Sequence, residues 1–431
     1  MELDDLGLGA TVSDPDLPGW PGEKAPDKRS HDALRQAFRW LREGEQGKAP
    51  VALGALVSIP ESDFSASPSF AMRLRCYLAV AHFLVAREVS DTEAEAHLLS
   101  ALHFYKAALS LAVSHGDALS QATLHRMYGE ARHDLRDYER ALSEYLTALT
   151  ALRRYLRDIS GGVRYALAEI KLRMRIARQN YVLGQFRATI DNITAAREIR
   201  ARFGGPATTQ WDRAAEDWIE AMILRAESQR CGGEIKMLRA ATRLFKRAEK
   251  RLAGDTEHSD SLRRLYIQIA DTHLDLAERY RSEGRIFSFT KNMQRAGDYA
   301  VMASDTLRRV NDSPGRAMAT LTLLRHDHLS LMAYELPSRI LHEEKGDDSL
   351  NPQIRALASR IYDVERKAVE MNDLPLIARA ATLRADVLAS MRDLHAALVL
   401  YYFAIATFER AGARGESSRA VYGVRRVLDI V

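Results

Sequence analysis

From Pro68 onward, apolar residues recur at steps of three and four, and brief polar or glycine-containing breaks separate one run from the next. That is the period of helices with one buried face, and no alternating apolar–polar run bounded by turns competes with it. The stretch 238–252 illustrates it. Leu238, Ala241, Phe245, Ala248 and Leu252 fall on one face, while Arg239, Arg243, Lys246 and Lys250 fall on another, with Arg247 and Arg251 adjacent. Upstream, Ser30 is a candidate N-cap for a short helix carrying Leu34, Phe38 and Leu41, after which Pro50, Pro60 and Pro68 are expected to break the chain. Residues 1–30 have no sustained period. They hold Pro15, Pro18, Pro21 and Pro26 with Gly7, Gly9, Gly19 and Gly22, and are expected to form a flexible tail.

The helical runs also repeat. Gly129 is followed by Ala141, Tyr145 and Ala148, with Tyr138 ahead of them. Ala177, Gly184, Phe186, Thr189, Ile193 and Ala196 occupy the same frame, and so do Ala277, Tyr280, Gly284, Ile286, Phe289, Met293 and Ala296. Ala385, Leu394, Ala397, Tyr401 and Ala404 form a further copy, and Ala101, Tyr105 and Ala108 a half-copy. Small residues at matched places let two antiparallel helices approach closely, and the aromatic fills the groove to the next pair. Residues 214–252 and 315–372 read as helical pairs without a unique frame.

In these units, over roughly residues 70–412, the chain resembles the tetratricopeptide repeat family, although that family's early tryptophan and late proline are absent. The resemblance implies an all-α solenoid of stacked antiparallel helix pairs with a C-terminal capping helix. The expected organisation is a flexible acidic tail at 1–30, a helix and proline-broken linker at 31–68, the repeat domain at 69–412 and the capping helix at 413–431. On that last helix Val421, Val424 and Leu428 are expected to face inward, and Arg419, Arg425 and Arg426 outward. The resemblance further implies that the first helix of each pair lines a concave groove. Carried onto this sequence, the groove residues are Arg126 and Glu130, Lys171 and Arg178, and Arg379 and Asp386. The full set of Lys, Asn and Arg residues with which some family members clamp a chaperone's terminal carboxylates does not recur.

Composition refines this picture in few respects. Apolar residues make up 46% and charged residues 28%, the balance of an ordinary folded protein. The net charge is +4, yet residues 1–30 carry more acids than bases, so the remainder is the basic part of the chain. A mildly basic body suits an acidic partner without demanding nucleic acid. The opening residues lack a basic region followed by an apolar stretch, and no run of about 18 uncharged apolar residues occurs, so neither a secretion signal nor a membrane span is expected and the default compartment is the cytoplasm. Cys76 and Cys231 stand far apart with no CxxC pair.

A search for chemistry yields little. Ala49 follows the only Gly-Lys step, Gly47-Lys48, where a phosphate-binding loop needs Ser or Thr. Nothing matches HExxH or GxSxG. His-Asp steps occur at His31-Asp32, His133-Asp134 and His326-Asp327, but the further ligands of a helical metal site are not apparent, and His326 and His328 point in different directions on a helix. No enzyme activity, metal or cofactor is expected. The sequence favours a binding protein that holds a peptide or a segment of another protein in the groove. The narrower alternatives are a regulatory peptide sensor similar to the bacterial receptors built on such repeats, and a nucleic-acid-binding protein. Arg239, Arg243, Lys246 and Lys250 offer a second candidate interface, although no aromatics interleave with them to stack on bases.

Overall fold

The computed structural model describes residues 27–43, 47–60, 67–89, 91–158, 163–203, 210–253, 259–307, 313–341 and 350–429. Among these the regular elements are all helical: α1 (Lys28–Glu43), α2 (Lys48–Val57), α3 (Pro68–Val85), α4 (Asp91–Ser114), α5 (Ala118–Asp134), α6 (Tyr138–Asp158), α7 (Val163–Val182), α8 (Phe186–Phe203), α9 (Gln210–Arg230), α10 (Ile235–Leu252), α11 (Ser259–Ser282), α12 (Ile286–Leu307), α13 (Ser313–Leu341), α14 (Leu350–Glu370), α15 (Leu374–Ser390), α16 (Leu394–Arg410), a 3-10 turn (Arg414–Ser417) and α17 (Ser418–Leu428). The chain forms two compact units, residues 1–180 with 191–207, and residues 181–190 with 208–431.

A recurring turn makes successive helices antiparallel. At the end of α5, Arg136 adopts φ 62°. Its N–H bonds the His133 carbonyl at 2.9 Å, and the Asp137 N–H bonds the Arg132 carbonyl at 2.9 Å, closing the left-handed C-cap. Gly284, Asn372 and Arg392 repeat the positive φ, at 69°, 50° and 63°. After Gly116, Arg136, Asn372 and Arg392 the next residue is an aspartate. The Asp117, Asp373 and Asp393 carboxylates accept from the backbone N–H of Ser120, Leu376 and Ala396 at 2.9, 3.0 and 3.2 Å. Each satisfies an otherwise orphaned helix donor.

In the N-terminal unit the main core runs through α1–α5 and includes Leu34, Leu41, Tyr77, Phe83 and Tyr105. A second cluster joins Ala141, Tyr145, Ala148 and Leu149 to Leu172 and Ile176. At Gly129 an added Cβ would lie 2.8 Å from the Tyr145 ring, so this small residue permits the close helix contact that its spacing predicts. Within α4, Glu93–Ser114 is long and apolar enough to cross a membrane by length and composition. It packs here through Ala101, Tyr105, Ala108 and Ala112, all buried.

In the C-terminal unit Leu238, Ala241, Phe245, Ala248 and Leu252 are buried, and α10 packs on α9 and α11. Ala397, Tyr401 and Ala404 are buried on α16 at the spacing read from the sequence. The fold is therefore all-α, with neighbouring antiparallel helix pairs packed in succession within each unit.

Near the N-terminus the structure departs from expectation. Pro50 lies in the first turn of α2 instead of breaking the chain, because a first-turn proline has no intrahelical N–H bond to lose, whereas Pro68 opens α3 where the helical period begins. The expected linker therefore contains α2. Helix α1 begins at Lys28, ahead of Ser30, with the Asp27 carboxylate accepting from the Arg29 N–H at 3.0 Å. The rest of the expected tail, residues 1–26, lies outside the described residues.

Candidate binding site

The first helices of the pairs in the C-terminal unit, α9, α11, α13 and α15, surround a cavity of about 110 Å³, which the 3-10 turn and α17 border from the C-terminal end of the chain. Its wall is mixed. Met222, Met318, Leu321, Leu383 and Phe408 provide apolar surface; Arg225, Asp271, Arg325, Arg379, Asp386, Glu416 and Arg419 provide charge.

The charged groups hold one another in place. Arg225 donates to Asp275 at 2.6 Å and to Gln268 at 3.1 Å. Arg325 donates to Asp275 at 2.5 Å and to Glu278 at 3.3 Å. Arg419 reaches Glu278 at 2.9 Å and Asp386 at 2.7 Å, and Arg379 reaches Glu416 at 2.8 Å. Arg426 pairs with Glu278 and lies 3.4 Å from Asp386. Burial pushes the Asp275 carboxyl up, but the guanidiniums of Arg225, Arg325 and Arg419 outweigh it and hold the group at about 2. Glu278 and Asp386 are likewise buried, and Arg419 and Arg426 keep both below the usual carboxylate range. For Arg379, the neighbouring Glu416 outweighs burial and raises the guanidinium's value. In such a network, removing one partner leaves a buried charge uncompensated. One donor has no acceptor: Nε of Arg325 is buried without a hydrogen-bond partner.

Of the residues singled out by sequence, Arg379 and Asp386 line this cavity. Arg126, Glu130, Lys171 and Arg178 belong to the N-terminal unit. Arg126 and Glu130 are buried against each other at 3.1 Å instead of projecting as a free surface, and Arg175 also bonds Glu130. Burial raises Glu130, but Arg175 and Arg126 bring it to about 2. Burial and the Arg175 charge lower Arg126 to about 10, and its Nη2 has no hydrogen-bond partner. Lys171 is half-buried and Arg178 exposed. Arg239, Arg243, Lys246 and Lys250 are exposed on α10, as their spacing predicts. Arg239 bonds the Tyr280 hydroxyl at 2.8 Å, and Arg247 and Arg251 pair with Asp217.

The C-terminal helix corrects the sequence expectation. Arg419 and Arg426 turn inward to Asp275, Glu278 and Asp386, while Leu428 is 53% exposed. The buried face is Ala420, Gly423, Val424 and Val427, rotated from the one expected, because acids on α11 and α15 give the two arginines partners that solvent does not. Arg225 and Arg325 were missed because the repeat frame is ambiguous in 214–252 and 315–372, and Asp271, outside both stretches, was not among the residues carried onto the groove. The available signal was Arg325, set among Leu321, Leu323, Leu324 and Leu329.

The His-Asp steps are occupied otherwise. His133 bonds Gln179 at 2.5 Å; burial and the nearby Arg178 lower it to about 3 and leave it neutral. His326 lies 3.7 Å from Asp327, and His328 bonds Ser390 at 2.9 Å. Among the described residues no three His, Cys, Asp or Glu side chains are placed to hold a metal ion. Burial pushes the Cys76 thiol up to about 12, and Cys231 is exposed.

No protein-family model matches the chain, and no curated protein matches it. Among solved structures it is similar to the apo form of RapI, at 14% identity and a TM-score of 0.47, covering 88% of this chain and 87% of that one. It is also similar to a Rap protein complexed with competence and sporulation factor, at 13% identity and a TM-score of 0.44, covering 93% and 98%.

Proposed function

We propose that this chain is a non-catalytic binding protein that receives a peptide, or a segment of another protein, on the first helices of its C-terminal unit. The observation that supports this most directly is the cavity itself. Its charged groups are held by reciprocal ion pairs, apolar side chains lie beside them, and the Arg325 Nε donor has no acceptor. A small pre-formed cavity of mixed character suits anchoring one side chain of a longer polypeptide, with specificity from fixed polar groups. A regulatory peptide sensor is the narrower form of this proposal. An acidic partner is the expectation for the exposed α10 stripe, where Arg243, Lys246 and Lys250 face outward.

Affinity purification of the tagged full chain from its native cell, followed by sequencing of co-purifying polypeptides, tests the proposal. Thr322→Trp fills the cavity from α13. The wild type should retain a polypeptide that this variant, checked to be folded by circular dichroism, loses. Equal retention by both would overturn the assignment of the cavity.

A further inference from the structure

The last helix ties itself to the site through charge. Residues 414–428 place one carboxylate and two guanidiniums against it: Glu416 on Arg379, and Arg419 and Arg426 on Glu278 and Asp386. Helix α17 packs on α9, α15 and α16, so it lies across the pairs as well as following the last of them. The segment fits closely. At Gly423 on α17 an added Cβ would come within 2.3 Å of the Tyr401 ring on α16, and at Gly415 in the 3-10 turn within 1.9 Å of the Tyr181 carbonyl oxygen. Its apolar share is small: Ala420, Val424 and Val427 are its buried hydrophobic residues. On the receiving side Asp275, Glu278 and Asp386 are buried, with 4%, 8% and 4% of their side chains accessible. Charged groups thus make up much of the contact, and without the segment Glu278 and Asp386 lose the arginines that most strongly hold them ionised.

We propose that the acidic face made by Asp275, Glu278 and Asp386 is a docking surface for an arginine-bearing helical segment of a partner protein, and that the chain's own residues 414–428 occupy it in the free state. This rests on the binding role proposed above and gives it a partner chemistry and a means of regulation. A competing segment needs two arginines seven residues apart on one helical face, a small residue between them at the Gly423 position, and an acid three residues before the first arginine to meet Arg379. The site's preference is thus for a basic helix, opposite in sign to the partner expected at the α10 stripe. A partner with this pattern exchanges one set of ion pairs for an equivalent set, so no buried charge is left unpaired in the bound state. The closed state excludes ligands that cannot supply both arginines.

The probe is a fluorescein-labelled peptide of residues 414–429, titrated into the full chain and followed by anisotropy. Arg419→Ala with Arg426→Ala in the chain weakens the resident segment, and this variant should bind the peptide at least tenfold tighter than the wild type does. A peptide carrying Glu at both arginine positions should not bind. A folded double variant that ignores the peptide, or binds both peptides alike, overturns the proposal. Should the variant fail to fold, hydrogen exchange on the wild-type chain decides. Amides of 418–428 should exchange at least tenfold faster than those of 394–410, and equal protection overturns the proposal. These outcomes are independent of the cavity test. A permanent C-terminal helix leaves retention of a cellular polypeptide through the cavity unaffected, and failure of that retention leaves the peptide exchange unaffected.

Discussion

The Tyr401 hydroxyl donates to the Asp386 carboxylate at 2.6 Å, joining a repeat-core aromatic to the charged site. Tyr401 is fully buried between helices, and Asp386 also accepts from Arg419. The stacking of the repeats and the shape of the site are therefore coupled through one hydrogen bond. Tyr401→Phe keeps the ring and removes the donor. It should cost about 1–3 kcal/mol, because Asp386 is buried and charged. A thermal melt indistinguishable from wild type would show the bond to be unimportant.

The small-residue positions make a second test. Ala141 is fully buried beside Tyr145. Ala141→Arg places charge and excess volume in a tight contact and should destabilise by several kcal/mol. Chemical denaturation measures it, and an unchanged midpoint would refute the helix-pair packing.

Acid should loosen the C-terminal unit in a defined window. Asp275 is held below its ordinary value when folded, so the unfolded chain binds more protons. The stability it contributes is complete above the ordinary value of 3.8 and is lost as pH falls toward about 2. Glu278 and Asp386 are shifted in the same direction and add to the effect. The melting temperature should fall steeply across that range, and less steeply in Asp275→Asn. Parallel profiles for the two proteins would contradict the assignment.

Much of this was legible in the sequence, for physical reasons that also mark where legibility ends. Ala141, Tyr145, Ala148, Ala397, Tyr401 and Ala404 could be read because buried helix contacts constrain residue size at fixed spacing. The face of α10 could be read because an amphipathic period is local. The frame near 372 was harder to see, since Asn372 takes the left-handed turn that glycine marks at Gly184 and Gly284. Arg379 and Asp386, singled out by their place on a first helix, line the cavity. Arg419 and Arg426 were assigned to solvent because nothing on α17 itself announces acids contributed by helices more than a hundred residues earlier, such as α11.

The α10 stripe provides a control surface. Arg243→Glu with Lys246→Glu lies on an exposed face. It should change stability by no more than about 0.5 kcal/mol. If the stripe steers an acidic partner, binding by this variant should slow and lose its salt dependence. A loss of several kcal/mol in folding stability would mean that these side chains are structural.

The central claim is that the first helices of the C-terminal unit receive the partner. Site-specific photo-crosslinking from position 322, on the cavity, and from position 243, on the α10 stripe, compares the two surfaces in the full chain. The account predicts that the retained polypeptide crosslinks from position 322. Crosslinks from position 243 alone would contradict it.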